Sequence, residues 1–160
     1  MMREFTSVES LLSAVRSELK STIHNMHPVM DHIGEEVAHT AKDKLGLYNP
    51  AIGPFPAWAP LAESTKQQRS QAGFTENEPL LRDGALRDAI QHEAHADHVI
   101  IGVRSGPTSD GKADIGDIGY WQEMGTASIP PRPFLQPALY QNQEHIVKLI
   151  GDHVVKKLKG

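Results

Sequence analysis

The stretch 119–139, GYWQEMGTASIPPRPFLQPAL, limits what this chain can fold into more than any other. Proline fixes φ and removes a backbone donor, so Pro130, Pro131 and Pro133 force residues 129–134 to run extended. Neither a core helix nor a central strand accepts prolines so spaced. Around this strip stand an aromatic pair (Tyr120, Trp121), an acid (Glu123), a Gly125-Thr126 stop, one embedded cation (Arg132) and an apolar tip (Phe134, Leu135). Two readings follow. The strip is a loop that ties a helix to the sheet, or a stiff spacer that docks a partner at a fixed distance. Glu123 and Arg132 are expected to pair across the Gly125 turn and fix the strip's direction.

What precedes the strip is mixed. Thr6 or Ser7 can cap a first helix, with Glu9 or Ser10 near its third position. Val8, Leu11, Leu12, Val15, Leu19 and Ile23 follow helical spacing. His27-Pro28 predicts a break. A second helix is expected from about Val29 to Leu45, with Val29, Ile33, Val37, Ala41 and Leu45 on one face and Gly46 closing it. Each apolar stripe needs a surface, either the chain's own sheet or a neighbouring subunit. Residues 47–60 form a proline-rich loop of unusual length. Trp58 near its end plugs the domain's own core or anchors a partner.

Residues 61–73 read as a polar helix capped by Ser64 or Thr65, presenting Lys66 and Arg69 as a solvated basic face. In residues 80–86, a turn or single helical turn, Leu81 and Leu86 act as pins. Residues 89–94 and 98–103 predict a β-hairpin turning around Ala96-Asp97, the β-branched second run being the better buried. Residues 104–116 are a polar, Gly-rich loop. Residues 115–124 are a short helix with Ile118, Trp121 and Met124 inward. A C-terminal helix follows from Ala138 to Lys159 (137–160 at its widest). Its last-turn cations Lys156, Lys157 and Lys159 complement the helix dipole. This order predicts an α+β fold: N-terminal helices (1–46) and a C-terminal helix packed on a small antiparallel sheet, with long Pro/Gly-rich loops, in one domain spanning 1–160.

Chemistry is hard to find. The chain of 160 residues has no cysteine, which removes disulfides, thiolate nucleophiles and Cys-based zinc sites. Its net charge of −4 provides no basic field for nucleic acid. The N-terminal stretch lacks the apolar core of a secretory signal, and no apolar run is long enough to span a membrane. Nine histidines invite a metal. His92, His95 and His98 are spaced three apart, but a strand sends His92 and His95 to opposite sides. His24 and His27 are a second such pair. No H-E-x-x-H, G-x-S-x-G, P-loop or dinucleotide fingerprint occurs. Adjacent Glu35 and Glu36 diverge on a helix and read as a solvated face. No enzyme activity, metal or cofactor is expected.

In chain order the sequence carries W-A-P-L-A-E-S-T (58–65), L-L-R-D-G-A-L-R-D-A-I (80–90), V-I-I-G-V (99–103), Y-W-Q-E-M-G-T (120–126) and I-P-P-R-P-F-L (129–135). This set resembles the tailed-phage virion-morphogenesis family, with its Mu-like tail-completion and siphophage neck proteins, over about residues 33–139. By match, Trp58, Pro60, Leu61 and Thr65 form the first motif. Leu81, Gly84 and Leu86 fill a leucine-glycine-leucine position. Gly125, Thr126, Pro131, Arg132, Pro133, Phe134 and Leu135 form the last. Trp121 stands where the family usually has a small or polar residue, and the basic run after Thr65 is shorter than usual. The resemblance implies a non-enzymatic virion component at the head–tail junction, made in the bacterial host cytoplasm. It would assemble with itself as a ring homo-oligomer of six copies. Its further partners would be the head-completion or connector protein and the tail terminator or tail tube, with genome DNA passing through the lumen without specific binding. On this reading the strip either buttresses the sheet beside the inter-subunit face or lies in that face itself, Phe134 has a docking role so that Phe134→Ala abolishes tail attachment, and the loops 47–60 and 104–116 order only on contact.

Overall fold

The computed structural model describes residues 7–24 and 26–159, the Ile23 side chain apart. Thr6 and Ile23, named above as a cap and a stripe position, therefore lie outside the described residues or side chains. The elements in order are α1 (Val8–His24), α2 (His27–Asp43), α3 (Glu63–Gln71), α4 (Ala85–Ala89), β1 (Ile90–Ala94), β2 (Val99–Val103), α5 (Ile115–Met124) and α6 (Leu135–Lys159). The fold is α+β, as expected.

The centre is α2. Its stripe of Met30, Ile33, Val37, Ala38 and Ala41 is buried. One side of it meets the hairpin and another meets α6. Close approach to β1 requires Gly34, because a Cβ there would lie 2.5 Å from the His92 ring. α2 starts two residues before the expected Val29. Pro28 sits in its first turn, where a missing N–H costs nothing. It ends at Asp43, and Gly46 takes φ +94° just beyond, donating its N–H to the Pro79 carbonyl at 2.8 Å.

The hairpin pairs β1 and β2 antiparallel with Ile90 opposite Val103 and Ala94 opposite Val99. The second run is not the better buried one: Ile90 of β1 is fully buried, whereas Ile100 of β2 is 56% exposed. α2 lies chiefly over β1, and Ile100 stands beside its cross-strand partner Glu93 on the exposed face of the hairpin. His92 binds Asp31 of α2 at 2.8 Å, and His95 stacks on His98 with ring centroids 4.4 Å apart.

The C-terminal helix does not lie on the sheet. It packs along α2 through Ala138, Ile146, Leu149 and Ile150, because α2 already occupies the hairpin's covered face. It also begins three residues before the expected Ala138, with Pro137 buried in its first turn. α1 starts with a reciprocal cap in which Ser7 and Ser10 exchange side-chain and backbone bonds at 3.1 and 3.2 Å. Its Val8, Leu11, Leu12, Val15 and Leu19 remain exposed, so the described residues leave that stripe largely uncovered, with α6 as its neighbour. No helix among the described residues is long and apolar enough to cross a membrane.

Candidate functional site

The proline strip is bonded at nearly every available donor. Gly125 ends α5 at φ +75°, and a Cβ there would press 3.0 Å from Pro131, so only glycine fits the turn. Thr126 then folds the next residues over itself: its N–H reaches the Ile129 carbonyl at 2.9 Å, and its hydroxyl accepts from Ile129 at 3.0 Å. Within residues 130–133 only Arg132 has a backbone N–H, which donates to the Gln122 carbonyl at 2.7 Å.

Glu123 and Arg132 do not pair with each other. The Glu123 carboxylate accepts from the backbone N–H groups of Phe134 (2.7 Å), Leu135 (3.0 Å) and Gln136 (2.8 Å). These are the unpaired donors that open α6, and the next residue, Pro137, has none. A carboxylate from α5 thus completes the α6 N-terminus, where the helix dipole also favours an anion. The Arg132 guanidinium instead reaches back to the 47–60 loop, donating Nε to the Ala59 carbonyl at 3.1 Å and Nη2 to the Pro60 carbonyl at 2.9 Å. The side chain is 5% exposed, and burial pushes its guanidinium below its ordinary pKa. Both charges were competed away by backbone groups held closer than their partner, a choice that residue spacing cannot reveal.

Trp58 plugs the chain's own core. It is buried, and its indole Nε1 donates to the Pro133 carbonyl at 3.1 Å. Phe134 is fully buried beside it in the core cluster, so it is no docking tip. Its replacement by alanine would act through stability, at about 3–5 kcal/mol, before any contact with a neighbour. Pro133 is buried, Leu135 half-buried and Pro131 exposed. Both long loops, expected to order only on contact, carry internal bonds. In 47–60 the Trp58 N–H meets the Asn49 carbonyl and Ile52 bridges Phe55. In the other loop Pro107 bridges Asp114, which caps α5 by accepting from Gly116 at 2.7 Å.

Several of the remaining motif residues converge beside the strip on an open cavity of about 420 Å³, which Leu81 and Gly84 do not line. Pro60, Leu61, Thr65, Leu86, Ile129 and Arg132 line it. Leu61 and Leu86 are buried, whereas Thr65 is half-buried inside α3 and does not cap it; the cap position belongs to Ala62. Gly84 takes φ +84° at the start of α4, and Leu81 packs against Gly46. Leu80 takes φ +62°, unusual for a branched side chain, and is held there by burial. Arg69 is not a solvated cation: it donates to the Glu78 carbonyl, and burial, then Arg82, lowers its pKa. Neither the role of Leu80 nor that of the Gln122 carbonyl carries a sequence signal.

The outer face of α5 is different. Tyr120 is 64%, Trp121 41% and Met124 53% exposed, so Trp121 and Met124 do not turn inward. Gly119 takes the inward place because α5 crosses β2 closely, a Cβ there falling 2.8 Å from Val103. Two of the larger side chains of the helix are displaced outward.

The family model of phage virion morphogenesis proteins matches residues 4–155, which takes in the strip, the cavity-lining residues, α1 to α5 and most of α6. The chain belongs to the phage virion morphogenesis family. No curated protein and no solved structure matches it. As a virion morphogenesis protein it has its role in phage particle assembly, associated with the virion. Within the matched span, Trp58, Glu123 and Arg132 lock the 47–60 loop, α5 and α6 into one unit.

Proposed function

We propose that this chain is a structural protein of the phage neck, which completes the tail or joins head to tail as a ring of identical copies, six in number, without catalytic activity of its own. The observation that carries this reading is the contrast across α5. On its inner side Glu123 and the strip are saturated by internal bonds; on its outer side Tyr120, Trp121 and Met124 face solvent. Large aromatic side chains on a rigid support are what central interface contacts are made of. A rigid support also leaves little conformational entropy to lose on docking. A head-to-tail contact closes into a ring only at one fixed rotation, which a braced helix supplies better than a loop. The partners are a second copy, the head-completion or connector protein, and the tail terminator or tube. The net charge of −4 lets DNA pass through a lumen without being gripped.

The tail-terminator reading rests on the same surface and differs in the partner. Particles lacking the protein separate the two: filled heads with free tails of normal length mark a neck protein, and overlong tail tubes mark a terminator. For the surface itself, Trp121→Ala combined with Tyr120→Ala should leave the melting temperature within about 0.5 kcal/mol equivalent of the parent. The same pair should yield unattached heads and tails. Normal particles and normal infectivity from the double variant would overturn the assignment.

A further inference from the structure

We propose that His32, Glu36 and His145 form a binding site for a divalent transition-metal ion of the zinc class, which staples α6 to α2. His32 and Glu36 lie one turn apart on α2 and share a face, and His145 comes from α6. One ligand atom from each lies within 4.8 Å of the others. His145 Nε2 is 3.1 Å from Glu36 Oε2, and His32 Nε2 is 3.5 Å from Glu36 Oε1. Donors bound tetrahedrally at about 2.0–2.2 Å sit roughly 3.3–3.5 Å from one another, so small side-chain rotations bring all three onto one ion.

A second observation points the same way. Glu36 Oε2 is shut off from solvent and has no hydrogen-bond partner. His145 Nε2 is near enough to bond it but lacks the alignment, so the two atoms are neighbours without being bonded. A buried carboxylate oxygen in that state is costly, and a cation among the three groups relieves it. The helix pair holds the ligands in register: one turn further on, Asn142 Nδ2 donates to Thr40 Oγ1 at 2.9 Å, and that hydroxyl donates to the Glu36 carbonyl at 2.9 Å. His32 and His145 are half exposed, leaving a path for the ion. Two imidazoles and a carboxylate favour zinc over calcium or magnesium, and three protein ligands leave a fourth position for water. The trio was hidden from sequence spacing because its third member lies on another helix.

The test titrates the chelator-treated full chain with zinc by calorimetry, and with cobalt by visible absorption, which reports tetrahedral coordination. The parent should take up about one ion per chain, and His32→Ala, Glu36→Gln and His145→Ala should each weaken uptake about tenfold or more. His95→Ala should bind like the parent. Zinc should raise the parent's melting temperature by about 5 °C and leave that of the three variants unmoved. Melting without metal shows separately that each variant is folded. Equal affinity in the parent and all three variants would mean adventitious binding to other histidines, and would overturn the site. So would the lack of saturable uptake at millimolar zinc.

Discussion

Replacing Glu123 by alanine removes one carboxylate and strands three backbone donors at the start of α6, those of Phe134, Leu135 and Gln136. The first two are part-buried and the third is exposed, so water can satisfy only the third without intruding on Phe134. A buried donor left without a partner costs about 1–3 kcal/mol. The lost attraction between the carboxylate and the helix N-terminus adds about 0.3–1 kcal/mol. Freed side-chain motion at position 123 and local relaxation offset part of this, for a net loss of about 2–4 kcal/mol. With a urea m-value of about 2 kcal/mol/M, the midpoint should fall by about 1–2 M. The melting temperature should drop by about 5–10 °C. Glu123→Gln keeps one acceptor oxygen without the charge and should fall in between. Amide exchange at residues 134–136 should quicken in step. If the alanine variant unfolds within about 0.5 kcal/mol of the parent, the carboxylate is not what starts α6, and the account of the strip as a braced unit fails.

Two further outcomes bear on the same region. Arg132→Lys keeps the charge but cannot fork to the Ala59 and Pro60 carbonyls, and should cost about 1–3 kcal/mol in urea unfolding; a neutral effect would mean that the 47–60 loop is held by Trp58 alone. Asp83 is held below the usual carboxylate range by the Ser109 hydroxyl first, then by the Ala85 amide and Arg82. A lowered folded pKa gives stability that is complete above about pH 4 and is lost as pH falls through the folded value. Asp83→Asn should therefore be less stable than the parent at pH 7, with the gap closing in acid; a gap that does not shrink as the pH is taken below the ordinary carboxylate range would refute the assignment.

The local rules of the chain are legible in its residues alone. Proline placement set the extended strip, helical spacing set α2, and β-branched residues around Ala96-Asp97 set the hairpin. Ser7 with Ser10 announced the start of α1, and the motif order announced the family. These features depend on neighbours within a few residues, which the sequence displays directly. What tertiary structure alone decided is which partner each group meets across long separations. Glu123 met three amides of α6 instead of Arg132, Arg132 met carbonyls some seventy residues earlier, and Trp121 was turned outward because Gly119 lets α5 lie on Val103. Likewise His145 met Glu36 only because α6 chose α2 over the sheet. A charge or ring goes to the best of many competing groups, and the competition is settled by distances that exist only once the elements have packed.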